Sequence, residues 1–191
     1  GEDGGPSHDS PSAGYLIRKR VDPSAIPASS SGTYKKRQGV LYRLAEAYLS
    51  YAESLYEYSV AMGAYTDNET EILDYINRVR YRAGIPQYGK GADQIPVTEA
   101  QLRDLIRRER RVELNCEAGI RFDDLRRWKE AETALNGKFY GMNALAKSTE
   151  RDEYYKRTLY QTRRFISYWW PIPQDDIDKN TNLRQLPGWW R

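Results

Sequence analysis

The sequence is short of the residues that most often carry chemistry. Its 191 residues include one cysteine and one histidine. A single cysteine excludes an intrachain disulfide and a cysteine-based zinc site. The single histidine, His8, argues against histidine-dependent catalysis and multi-histidine metal sites. No apolar run approaches the roughly 18–20 residues of a transmembrane helix. The sequence therefore predicts no metal, no cofactor and no membrane-spanning helix.

The charged residues are nearly balanced in sign. Thirty Lys and Arg residues face 27 Asp and Glu residues, for a net charge of +3. This balance is too even to indicate nucleic acid as a partner. Arginine outnumbers lysine by 21 to 9, and arginine is the better residue for buried pairing with carboxylates. The 16 Tyr and 5 Trp residues suit a helical core, an interface or a sugar-stacking surface.

The composition divides the chain into three regions. Residues 1–39 have loop composition, with a run near 15–21 that could form a short strand. Residues 40–136 are helical and contain one tetratricopeptide-like helix pair. Residues 137–191 are irregular, and we expect them to dock on the helices. Because the chain opens on Gly1 in a Gly/Pro/Ser-rich stretch, we also expect a piece of a longer protein.

Apolar periodicity places the helices within the central region. It predicts four of them, at about 40–58, 69–83, 99–118 and 121–135. Thr98 and Gln101 form the pattern of a capping box before the third helix. Residues 151–168 are compatible with helix, strand or both.

The third predicted helix carries the most informative pattern. Glu109 and Glu113 lie in the middle of its apolar face, four residues apart. Such a pair suits acid–base catalysis, as in carboxylate-pair hydrolases. The alternative is that both carboxylates are buried and paired with arginine. The many arginines nearby favour pairing, so we predict no catalytic residue.

The partners of these carboxylates must come from other segments, because helical geometry directs Arg110 and Arg111 away from the apolar face. The candidates are the guanidinium groups of three arginines and a stretch of backbone: Arg43, Arg78, Arg80 and residues 170–172. Cys116 lies on the same face, so we expect a buried and inert thiol.

Residues 109–128 resemble a family signature. They read ERRVEL and then EAGIRFDDLRRW, which is similar to the ERR-x-EL…E-G-x-R-x-x-DL-x-RW signature of the SusD/RagB family. Four further segments resemble that family in order along the chain: YLIRK at 15–19, RLAEAYLSYAE at 43–53, WPIPQ at 170–174 with Asn180, and LRQLPGW at 183–189. Asp176 and Leu186 depart from the usual Glu and Asn of the family.

The resemblance implies a mainly α fold, with tetratricopeptide-like helix pairs, long irregular loops and little or no β structure. It implies a surface lipoprotein of the Gram-negative outer membrane that is not an enzyme. Such proteins form a lid over a SusC-like, TonB-dependent transporter barrel and capture oligosaccharides or, in some branches, peptides. This chain is similar to their C-terminal part, so the lipid anchor and most ligand-contacting residues are expected upstream. The ligand-binding residues therefore stay unknown, and the signature residues are expected to be structural: Glu109, Arg110, Arg111, Glu113, Asp124, Arg127 and Trp128.

Two functions stay open at this point. One is the oligosaccharide-capturing lid of an uptake system. The other is a helical-repeat scaffold for protein docking, or a peptide-binding branch of the same family. The candidates for exposed aromatic residues in loops are Tyr34, Tyr88 and Tyr140.

Overall fold

A computed structural model describes residues 13–15, 17–19, 21–25, 32, 39–117, 119–147 and 149–189. Over these residues the fold is mainly α, as predicted, with one two-stranded sheet. The elements in chain order are α1 (Leu44–Met62), α2 (Tyr65–Arg82), α3 (Glu99–Glu113), α4 (Ile120–Arg127), α5 (Ala131–Ala134), β1 (Gly137–Gly141), α6 (Arg151–Tyr154), β2 (Thr158–Arg163) and α7 (Gln174–Lys179). Among the described helices, none is both long enough and apolar enough to cross a bilayer.

The chain divides into two compact units. One unit, Arg20–Arg121, contains α1, α2 and α3. The other, Gly1–Lys19 with Phe122–Arg191, contains the sheet and the short helices α5, α6 and α7. The division falls within α4, inside the region 40–136 that the sequence predicts as one helical region.

A two-residue turn joins α1 to α2. Gly63 has a φ of 66°, and this left-handed conformation ends the helix at low cost. The Ala64 N–H then donates to the Ser59 carbonyl at 2.8 Å. In consequence α1 ends four residues beyond the predicted residue 58, and α2 begins at Tyr65 instead of residue 69. The first turn of α2 is mostly polar, so apolar periodicity could not detect it.

The core of the first unit lies between α1, α2 and α3. Its central side chains have no solvent exposure: Leu49, Ala52, Ile72, Ile76, Leu102 and Ile106. The small Ala52 lets the helices approach closely, and Tyr56 fills the adjoining space while its hydroxyl donates to the Glu99 carbonyl at 3.0 Å. The amphipathic faces that the sequence predicts are therefore the faces that meet in the core.

The third helix begins as predicted and ends early. The predicted capping box of Thr98 and Gln101 is present, with the Thr98 N–H donating to Gln101 Oε1 at 3.1 Å. The helix stops at Glu113, five residues before the predicted end. Cys116 follows in the left-handed region, with a φ of 61°, and its side chain is exposed. The expectation of a buried thiol was wrong, because the chain has left the helix before it reaches Cys116.

The fourth predicted helix is two helices. α4 ends at Arg127, and Lys129 has a φ of 60° before the single turn of α5 begins. The Glu130 N–H donates to the Leu125 carbonyl at 2.9 Å, which closes the first of these helices. A left-handed lysine cannot be recognised from apolar spacing, because the periodicity continues across it.

The sheet pairs β1 with β2 in antiparallel orientation, with an irregularity between Phe139 and Tyr140. Gly141 is required at the end of β1, since a Cβ there would lie 2.4 Å from the Ala13 carbonyl oxygen. The predicted ambiguity of residues 151–168 reflects the presence of both α6 and β2. No strand forms near 15–21 at the positions that the structure describes there.

Candidate functional site

Glu109, on α3, is the first residue of the signature segment 109–128, and its side chain is buried. We call α3 the signature helix. Its side chain is paired with that of Arg80 on α2, and each residue is less than 8% exposed. The Tyr88 hydroxyl donates to Glu109 Oε1 at 3.0 Å. Of the partners that the sequence offered, Arg80 is the one that the structure places on Glu109. Since both charges are removed from water, each depends on the other for compensation.

Arg80 extends this contact to the loop that follows α2. Its Nε donates to the Pro86 carbonyl at 2.7 Å, and its guanidinium lies 3.9 Å from the centre of the Tyr88 ring. Burial raises the pKa of the Tyr88 hydroxyl, and the negative charge of Glu109 raises it further. The signature carboxylate therefore holds the α2–α3 loop as well as the helices.

Glu113 lies one helical turn later, with its side chain 13% exposed. It accepts from Arg43 Nη1 at 2.8 Å and from Arg82 Nη2 at 2.6 Å. Arg43 was among the predicted partners, whereas Arg82 was not. Arg78, another candidate, is instead paired with Asp74 on its own helix.

Arg43 also binds the end of α3. Its Nη2 donates to the Glu113 carbonyl at 3.1 Å and to Glu117 Oε1 at 2.7 Å. The last carbonyls of a helix have no partner within the helix, so Arg43 caps α3 from the residue before α1. The hydrogen bond with Glu117 raises the pKa of the Arg43 guanidinium, and Glu113 adds to the increase. The spacing of four residues from Glu113 is the sequence signal that could have identified Glu117.

The sequence directs Arg110 away from the apolar face of α3 and does not predict that its side chain is buried. It is 4% exposed, its Nη1 donates to Ser50 Oγ at 2.9 Å, and its Nε lies 3.5 Å from Glu53 Oε2. Because α1 packs on the flank of α3, the buried face of α3 is wider than its apolar stripe. Arg111, which the sequence also directs away from the apolar face, is exposed.

The remaining signature residues form a local cluster in the other unit. Asp124 is 3% exposed and accepts from Arg127 Nε at 2.9 Å. The guanidinium of Arg127 lies 4.7 Å from the centre of the Trp128 ring. Arg126, which the sequence did not single out, donates to the carbonyls of Ser167 and Tyr168. It therefore ties α4 to the segment that precedes the Pro-Ile-Pro turn.

The three aromatic candidates have different outcomes. Tyr34 lies outside the described residues. Tyr88 is 4% exposed, so the expectation of a surface tyrosine was wrong; Glu109 and Arg80 draw its polar end inward. Tyr140 is 39% exposed, and the Arg157 guanidinium lies 3.8 Å from its ring centre.

The geometry favours pairing over acid–base chemistry for Glu109 and Glu113. Each accepts from at least one arginine of another helix. A general acid or base must reach a proton of the bound substrate, whereas both of these carboxylates already bind guanidinium groups of the protein itself. Among the described residues there is also no group of His, Cys, Asp and Glu placed to hold a metal ion. The ion pairs of Glu109 and Glu113 join α3 to α2 and to Arg43, the residue before α1.

The comparisons with known proteins agree with this architecture. The model of the SusD family matches residues 1–189. The solved structure of BT4246 is 33% identical, with a TM-score of 0.72 over 93% of this chain. A SusD-like carbohydrate-binding protein of Bacteroides fragilis NCTC 9343, BF0978, is 35% identical, with a TM-score of 0.56 over 76% of this chain. A second SusD-like protein of that organism, BF3747, is 28% identical over 78%, with a TM-score of 0.59.

These structures are much longer than this chain, which covers 28% of BT4246, 28% of BF0978 and 25% of BF3747. None of the curated proteins matches the sequence. The family model spans nearly the whole chain, and the paired glutamates of the signature helix lie within it. This chain belongs to the SusD family.

Proposed function

We propose that the protein to which this chain belongs captures oligosaccharides at the outer-membrane surface for uptake. It is a lipid-anchored lid over a SusC-like, TonB-dependent transporter barrel, and it catalyses no reaction. The observation that carries this proposal is membership of the SusD family, together with the likeness to BF0978, a SusD-like carbohydrate-binding protein.

The role of this chain in that protein is to form a rigid helical base. Its signature carboxylates are bound by arginines from neighbouring helices, and this arrangement fixes α1, α2 and α3 relative to each other. The matched structures have two to three times more chain outside the region that this one covers. We place most ligand-contacting residues upstream because the sequence resemblance implies it.

The test is a panel of glycans and peptides, titrated by calorimetry into the full-length protein. Saturable binding of an oligosaccharide supports the proposal, and binding of peptides alone would transfer the protein to a peptide-capturing branch. Lack of binding to both classes, with stable co-purification of the barrel, would indicate a docking scaffold instead. If the protein hydrolysed a bound glycan and the Glu109→Gln variant did not, the proposal that the protein catalyses no reaction would be refuted.

A further inference from the structure

A cavity of about 320 Å³ lies between α2 and the loop that follows it. One wall is a stripe of α2 that includes Glu69, Thr70, Leu73 and Asp74. The other wall is the loop from Tyr88 to Gln94. Its volume falls at the lower end of the range of about 300–1,000 Å³ that is usual for ligand pockets. We propose that this cavity binds a single neutral sugar unit; the choice of ligand class rests on the proposed function.

The wall formed by the loop is held in a fixed position. The Asn77 side chain donates to the Tyr88 carbonyl and accepts from the Tyr88 N–H, both at 2.8 Å. The Tyr88 ring is packed against Arg80, and its hydroxyl is bound to Glu109. A ligand that enters the cavity therefore meets a preorganised loop, so less conformational entropy is lost on binding.

Two glycines place a side-chain amide in the cavity wall. A Cβ on Gly89 would lie 2.1 Å from Gln94 Oε1, so the Gln94 amide occupies the space that a larger residue would need. The same oxygen accepts from the Gly91 N–H at 2.9 Å. This bond fixes the orientation of the amide and leaves its NH₂ group as a donor.

The polar groups of the cavity match the hydroxyls of a sugar. Arg78 Nη2 lies 2.8 Å from Asp74 Oδ2. Both hydrogen bonds from Arg78 use this oxygen, and Asp74 Oδ1 accepts no hydrogen bond from the described residues. Thr70 supplies a hydroxyl one turn earlier on the same face of α2. Sugar hydroxyls donate to carboxylates and accept from amides and ammonium groups, and Leu73 offers an apolar surface to the C–H face of the ring.

The charges of the cavity favour a neutral ligand. Glu69 is paired with Lys90 at 2.9 Å, and Asp74 is paired with Arg78. The carboxylates of the cavity are each paired with a cation, and the cations are each paired with a carboxylate. A charged sugar, either a uronic acid or an amino sugar, would therefore find no unpaired group of opposite charge. A neutral hexose needs only hydrogen bonds and avoids the cost of desolvating an additional charge.

The test is a titration of the full-length protein, labelled with ²H and ¹⁵N, with glucose, galactose, mannose, glucuronic acid and glucosamine. At least one neutral hexose is expected to shift the amide signals of residues 69–74 and 88–94 saturably, at millimolar concentrations. The charged sugars are expected to bind about tenfold more weakly. The proposal would be overturned if every neutral hexose shifted signals across the whole protein or failed to saturate. It would also be overturned if glucuronic acid bound as tightly as the best neutral hexose.

Matched variants locate the binding. Thr70→Val and Asp74→Ala change exposed positions of α2, and each is expected to weaken hexose binding about tenfold. Glu71→Ala is the control, since Glu71 lies on the same helix, bonds to Tyr51 and does not line the cavity. Unchanged affinity in Asp74→Ala would place the sugar elsewhere. Oligosaccharide binding by the full-length protein without a hexose response here would refute this cavity site and leave the proposed function intact.

Discussion

Removal of the Glu109 carboxylate should destabilise the first unit severely. In Glu109→Ala, the Arg80 guanidinium keeps its bond to Pro86 but loses its only carboxylate partner among the described residues, at a position that is 6% exposed. The Tyr88 hydroxyl loses its acceptor in the same step. A buried charge left without its partner costs about 3–5 kcal/mol. Against a stability of about 5–15 kcal/mol, this is a large fraction.

The assay is urea unfolding followed by far-ultraviolet circular dichroism, with three further variants for comparison. Glu109→Gln retains an acceptor but not the charge, so its loss should be smaller than that of Glu109→Ala. Glu113→Ala should cost about 1–2 kcal/mol, because Arg43 keeps Glu117 and Arg82 is 60% exposed. Glu57→Ala should cost less than about 1 kcal/mol, since Glu57 and Arg103 are both about two-fifths exposed.

The order of these losses is the decisive result. A loss below about 0.5 kcal/mol in Glu109→Ala, the value of an ordinary surface position, would show that solvent replaces the carboxylate. An equal loss in Glu57→Ala would show that the assay reports general helix stability and not burial of the pair. Either result refutes the argument that the signature glutamate compensates a buried arginine.

Three other variants or titrations test separate parts of the structure. Burial raises the pKa of Tyr65 to about 12, so an absorbance titration at 295 nm should show a phenol that ionises near that pH. This change should disappear in Tyr65→Phe. The stability linked to Tyr65 is complete below pH 10 and is lost as the pH rises through about 12. The hydrogen bonds from Arg103 lower the pKa of Glu57 below its ordinary value of 4.5. The stability that this pair contributes is therefore complete above pH 4.5 and declines in more acidic solution. Arg103→Met should remove this dependence on pH. Ile76→Ala, at a side chain with no exposure, should cost about 2–5 kcal/mol in urea unfolding.

Apolar spacing was sufficient to predict the helical core. Each of α1, α2 and α3 carries an apolar stripe, interrupted on α3 by Glu109 and Glu113. Each stripe contributes fully buried side chains such as Leu49, Ile72 and Ile106. A helix shows its buried face in the sequence because its period is fixed at 3.6 residues. The same reasoning placed two carboxylates on a buried face and required arginine partners from other segments, which the structure supplies as Arg43 and Arg80.

The features that the sequence did not reveal depend on packing or on single backbone conformations. The left-handed residues Cys116 and Lys129 end helices where apolar spacing continues. The burial of Arg110 depends on α1 lying against the flank of α3, and Tyr88 is drawn inward by Glu109 across 21 residues. A pattern along one segment does not contain these contacts, because they are decided by which helices become neighbours.

The charged positions of α3 suggest why this helix is not simply apolar. A buried ion pair is weak evidence for stability, since apolar residues of similar volume often pack as well. What distinguishes buried ion pairs from apolar contacts is that they constrain the position of the helix. Three ion pairs of α3 have to form together: Glu109 with Arg80, Glu113 with Arg43 and Arg110 with Glu53. If α3 slid by one turn along its neighbours, at least one buried charge would lose its partner, whereas an apolar stripe would tolerate the shift. The three contacts therefore select one register of α3 against α1 and α2. That register also sets where Glu109 holds Tyr88, and hence the shape of the loop beside the cavity.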